Sequence, residues 1–163
     1  MTVAEIQTLI AGIDADFLDE QIWRQWTEYA LQKVSSVPVW LVELYEAENS
    51  KDALVALYCG WHKAESDDAP LNQTELYLGF LYLSHLAGKL NLPKLLLEAG
   101  EFSDKANFDN PSCEAFYLLL NEYEEREGAL SYNSSTFSGR VENLFSGFAE
   151  LAKRQIASLQ RAG

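Results

Sequence analysis

Apolar residues recur along this chain at helical spacing from one end to the other, and no period-two alternation competes with them. The cleanest case is near the C-terminus, where Phe137, Val141, Leu144, Phe145, Phe148, Leu151, Ala152, Ile156 and Leu159 trace one helical face. Thr2 with Glu5 has the form of a capping box and opens a first helix through Ile6, Leu9 and Ile10 to Gly12. Asp14 or Asp16 is placed to cap a second helix, with Phe17, Ile22, Trp23, Trp26, Ala30 and Val34, that stops near Ser35-Ser36. Pro38 falls in the first turn of a short third helix ending at Asn49, and Ser50 starts a fourth through Leu54, Leu57 and Trp61.

Asn72 with Glu75 repeats the capping-box pattern and launches a segment, about 72–91, that is apolar on every side. A helix of that kind needs neighbours all round it, so it is predicted to be central. Pro93 opens a short piece (Leu95, Leu96, Leu97) ended by Gly100. Asn110-Pro111 starts a helix through Phe116, Leu119, Leu120 and Tyr123 that Gly128 stops, and Ser131 to Thr136 reads as a polar loop. The expected fold class is therefore all-α: a compact single domain over 1–163, an array of about eight helices, several short, around the central one. Residues 37–46 echo residues 92–101, which leaves a pair of related units open. Leu78-Gly79-x-x-Tyr82 matches a fragment of the tetratricopeptide signature, but no 34-residue period accompanies it.

Composition supports a folded domain, since 48% of the residues are hydrophobic, with eight Phe, eight Tyr and four Trp. The start of the chain lacks the basic and apolar stretches of a signal peptide. The uncharged run from Leu76 to Gly88 is too short to cross a bilayer. Cys59 and Cys113 read as packed thiols rather than a disulfide framework, so a cytoplasmic location is expected.

Charge changes the picture more. Twenty-five acidic residues against twelve basic give a net charge of −13. Such a field disfavours nucleic-acid and membrane binding and favours a basic protein partner, although solubility alone also accounts for it. Its distribution is uneven: residues 1–130 hold 23 acidic and 8 basic side chains, residues 131–163 hold 2 and 4. Carboxylates cluster at Asp14/Asp16/Asp19/Glu20, at Glu65/Asp67/Asp68, and at Glu122, Glu124, Glu125 and Glu127. The last set lies at a helix C-terminus, where the macrodipole opposes negative charge. Trp61 and Tyr123 adjoin the second and third clusters, and aromatics ringed by charge are the composition of interface hot spots. The candidate partner-binding residues are accordingly Trp61, Glu65, Asp67, Asp68, Glu122, Tyr123, Glu124, Glu125 and Glu127.

Catalytic and cofactor signatures are missing. Cys59, His62, His85 and Cys113 could in principle make a zinc set, yet none of the tight paired spacings of zinc modules occurs. His85 falls in the central helix and reads as a satisfied core group. There is no Gly-x-Ser-x-Gly elbow and no Gly-rich phosphate loop. Ser138-Gly139-Arg140 could grip an anion at a helix start, though a plain capping turn explains it too. The expectation is a binding protein without metal or cofactor, not an enzyme.

The stretch Val37-Pro38-Val39-Trp40-Leu41-Val42-Glu43-Leu44, with the order of helices around it, resembles a helical family among the immunity proteins of bacterial contact-dependent inhibition and other polymorphic toxin systems. The resemblance touches the middle two-thirds of the chain and carries over no residue by position. It implies stoichiometric inhibition, with carboxylates pairing to the Lys and Arg of a toxin domain, often a nuclease. A helical adaptor or scaffold is the alternative.

Overall fold

The computed structural model describes residues 2–64, 70–107, 112–126 and 134–162, with the side chains of 126, 134–135 and 160–162 also left aside. Eight helices and no strand occur among the described residues: α1 (Val3–Asp14), α2 (Glu20–Lys33), α3 (Val39–Glu46), α4 (Ser50–Lys63), α5 (Gln73–Leu86), α6 (Leu92–Lys105), α7 (Cys113–Arg126) and α8 (Ser134–Ala162). The all-α array expected from periodicity is the fold found. None of these helices is long and apolar enough to cross a membrane.

Local chemistry sets most of the helix starts. The Thr2/Glu5 capping box is present in both directions, with the Thr2 side chain accepting from the Glu5 N–H and the Glu5 carboxylate accepting from the Thr2 N–H. Asn49, Asn72 and Asn91 cap α4, α5 and α6 in one direction, each side chain accepting from N–H groups of the first turn, so the Asn72/Glu75 pair gives a cap rather than the expected reciprocal box. The second helix departs from expectation: its cap is Asp19, not Asp14 or Asp16. Asp14 is the last residue of α1, and Asp16 sits in the following turn at φ 52°, so neither is free to start a helix. Phe17 then precedes α2 and packs on Phe80, with ring centroids 5.6 Å apart.

The segment at 72–91 is central as expected. It is shorter, Gln73–Leu86, and buried without a break from Leu76 to Ser84. It packs against α1, α6 and α8. Gly88 at φ 75° turns the chain, leaving Leu86 exposed and Leu90 buried in the loop beyond. The C-terminal helix α8 runs 29 residues, about 43 Å at the usual rise, and lies along α5. Their close contact depends on Gly79, where a Cβ would overlap the Phe148 carbonyl. Phe145, fully buried, stacks on Tyr82 of α5 at 5.0 Å and tilts onto Phe116 of α7 at 5.3 Å. One side chain thus ties three helices, by burial and by ring geometry.

Three further boundaries differ from the sequence reading. Helix α6 does not stop at Gly100 but continues to Lys105, because Gly100 is a packing position: the Tyr117 ring of α7 lies where its Cβ would be. Helix α8 begins at Ser134, inside the expected polar loop. Ser138-Gly139-Arg140 is therefore within the helix, past the first turn whose free N–H groups could hold an anion. The echoed segments differ as well. Pro38 occupies the N-cap of the eight-residue α3, whereas Pro93 is inside the first turn of the fourteen-residue α6.

Candidate partner-binding surface

Helix α7 carries the third acidic cluster, and its geometry sorts that cluster. At about 100° per residue, Glu114, Glu122 and Glu125 fall within roughly 40° of Leu118, while Glu124 points about 120° away from it. Leu118 is 66% exposed. Its neighbours Phe116, Leu119 and Leu120 are buried, so Leu118 is the one residue of the run that α7 presents outward. Beside it runs an open groove of about 480 Å³ between α7 and α8, lined by Ala115, Leu118, Leu119, Arg140, Asn143 and Leu144.

Glu122 pairs with Arg140, a residue lining this groove. It is half-buried, and Arg140 Nη1 donates to its Oε2 at 2.6 Å, joining α7 to α8. Tyr123 is also turned inward, half-buried with its ring 6.3 Å from Phe137 of α8. Glu124 and Glu125 are exposed. So of the four described residues expected here, Glu122 and Tyr123 help to hold α8 while Glu124 and Glu125 face solvent on different sides. Glu127 lies outside the described residues.

The second cluster cannot be placed in the same way, because Glu65, Asp67 and Asp68 lie outside the described residues. Trp61, which precedes it, is half-buried against the core and stacks on the His62 ring at 6.0 Å and 12°. Tyr58 lies 6.1 Å from it on the same helix.

Polar groups also converge where the end of α1, the end of α5 and the start of α6 meet, around a cleft of about 240 Å³. Their bonds are mostly internal. Lys89 Nζ donates to the Asp16 and Phe17 carbonyls at 3.2 and 3.1 Å, Ser84 Oγ donates to the Ala15 carbonyl at 2.9 Å, and Lys94 pairs with Glu98 at 3.4 Å. The Lys89 and Ser84 bonds staple the α1–α2 turn to α5 and the loop after it, and satisfy carbonyls that the left-handed turn at Asp16 leaves open. Asp14 stands at the edge of the cleft. Its side chain is exposed, yet the protein packed about its carboxyl removes enough water to raise its pKa above the usual carboxylate value. Burial likewise pushes the Tyr77 hydroxyl up, helped by Glu98, Asp14 and Glu101.

Among the described residues, no group of three or more His, Cys, Asp or Glu is arranged to hold a metal ion. Cys59 and His62 share α4, whereas His85 is half-buried at the end of α5, with Nδ1 2.8 Å from the Leu90 carbonyl. Cys113 Sγ lies 3.8 Å from Asp104 Oδ1.

Leu118 and Glu114 were not singled out from the sequence, and Arg140 was considered there only as part of a possible anion grip. A signal was available: Phe116-Tyr117-Leu118-Leu119-Leu120 is five apolar residues in a row, and a helix packed on one side cannot bury all five. Comparison with protein-family models, with curated proteins and with solved structures finds no match for this chain.

Proposed function

We propose that this protein acts by binding rather than catalysis, as an immunity-type inhibitor that neutralises a basic toxin domain, nucleases being one such class, in a stoichiometric complex. The observation that carries the reading is Leu118, an exposed leucine beside an apolar groove with three carboxylates on its own helical face. An apolar anchor with a charged rim is how tight protein interfaces are built, the anchor supplying affinity and the rim supplying orientation. The net charge of −13 adds long-range attraction, which raises the association rate for a basic partner and is weakened by salt.

A test is the protein encoded immediately upstream. Its C-terminal domain, expressed alone in a bacterial host, should arrest growth, and co-expression of this chain should restore it. A domain that is harmless, or toxic with no rescue, overturns the proposal. The association rate of the purified pair should also fall steeply as ionic strength rises.

The alternative, a helical adaptor, draws on a different surface. Val37, Val39 and Val42 are all exposed at and just before α3, Val39 at 67%. An adaptor using them would take an apolar peptide, with affinity nearly independent of salt.

A further inference from the structure

The α7–α8 groove specifies what kind of element can occupy it. Charge complementarity and spacing together favour one occupant. The carboxylates on the Leu118 face are not equivalent, because Glu122 is already held by Arg140 at 2.6 Å. Glu114 and Glu125, both exposed, have no ion-pair partner among the described residues. Along the helix axis Glu114 stands about 6 Å before Leu118 and Glu125 about 10 Å after it. Within that span the groove is walled over one turn by Ala115, Leu118 and Leu119 on α7 and by Arg140, Asn143 and Leu144 on α8. An open depression between two helices is a surface on which a third helix can pack, ridge into groove.

We infer that the occupant is a basic amphipathic helix of the partner protein: one that seats a leucine-sized side chain against Leu118 and Leu144 and carries lysine or arginine about four residues to one side and seven to the other. Those two cations meet Glu114 and Glu125. Arg140, half-exposed and on the groove wall, repels a cation placed opposite Glu122, and so selects against a partner helix that is basic at every turn. A second copy of this chain is disfavoured as occupant by its own net charge of −13. This inference rests on the basic-partner reading above and refines it to a structural element.

The test uses two synthetic peptides of identical composition. One is a helix with a central leucine and lysines at the four- and seven-residue offsets, on the leucine's own face; the other has the same residues permuted so that the lysines fall on the opposite face. Binding is read by amide chemical-shift perturbation on the full chain and by fluorescence anisotropy. The patterned peptide should bind at least tenfold more tightly than its isomer, with perturbations confined to α7 and the first half of α8. Leu118→Ser, at a position too exposed to unfold the protein, should weaken it about tenfold, and Glu125→Lys should weaken it several-fold. Equal, salt-sensitive binding of both peptides overturns the inference while leaving the basic-partner reading intact. Binding of neither, or perturbations centred on α3, overturns the inference as well. Failure of the reading itself is seen separately, as absence of growth rescue.

Discussion

The side chain of Gln7 and the backbone of Leu71, 64 residues apart, exchange two hydrogen bonds. Gln7 Nε2 donates to the Leu71 carbonyl and the Leu71 N–H donates to Gln7 Oε1, both at 2.9 Å. Gln7 is fully buried in α1, and Gln73 Nε2 adds a third bond to the Gln7 carbonyl at 3.3 Å. The glutamine amide thus stands in for a neighbouring strand and satisfies the loop that leads into the central helix. Gln7→Leu keeps the volume but strands a backbone donor and acceptor, so we expect a loss of about 2–4 kcal/mol. Urea unfolding with an unchanged m-value measures it; a loss below about 0.5 kcal/mol would show that water replaces the amide at no cost.

Two helical glycines should respond oppositely to alanine. At Gly79 the new Cβ meets the Phe148 backbone, which cannot rotate away, and α5 and α8 must separate. Gly79→Ala should cost about 2–3 kcal/mol. At Gly147 nothing lies within 4 Å of the new Cβ, so only the helix preference remains and Gly147→Ala should gain about 0.5–1 kcal/mol. Thermal melts of the two variants distinguish them, and a destabilised Gly147→Ala would mean that α8 packs on that side.

Phe145 and Phe148 share α8 but not burial. Phe145 is fully enclosed between Tyr82 and Phe116, while Phe148 is half-buried. Phe145→Ala should destabilise by about 3–5 kcal/mol, and Phe148→Ala by clearly less. Equal losses in chemical denaturation would contradict the orientation of α8.

Asp14 gives the fold a pH dependence of known sign. Its carboxyl is partly desolvated, so its folded pKa is raised above the ordinary value of 3.8 and the folded state binds the proton more tightly. Stability from this group is therefore fully present below pH 3.8 and is lost as pH rises through the raised value. Its place at the C-terminal end of α1 adds an unfavourable helix dipole once it is ionised. Asp14→Asn should raise the Tm at pH 7 and leave it unchanged at pH 3; a gain of equal size at both pH values would point to a cause other than ionisation.

Charge reversal separates the two exposed carboxylates at the end of α7. Glu125→Lys should slow association with a basic partner, whereas Glu124→Lys, on the other side of the helix, should affect it little beyond the change in net charge. Stopped-flow association at low and moderate salt measures both, and equal slowing would mean that only net charge matters.

Much of this architecture is written in short-range chemistry and so was legible along the chain. The Thr2/Glu5 box, the Asn72 cap, the all-round apolar segment at 76–84 and the single face from Phe137 to Leu159 each specify a helix and its burial without reference to anything distant. That is because capping bonds span three residues and amphipathic periodicity is local. The acidity of the first 130 residues is a property of the chain alone, and so is the crowding of carboxylates near the end of α7.

Other features depended on what packs against what. Gly100 reads as a helix stop, yet it serves a tyrosine ring from another helix; Gly79 reads as a repeat fragment, yet it lets two helices touch. Asp19 rather than Asp14 caps α2 because α1 runs two residues past Gly12, its turn closing when the Phe17 and Leu18 N–H groups bond to the Gly12 carbonyl. The acidic cluster of α7 was visible as a sequence, but only α8 decides that Glu122 is paired, that Tyr123 is turned inward, and that Leu118 is left at the rim of a groove. Helical phase divides a run of charges among faces, and only the neighbouring helices determine which faces are covered.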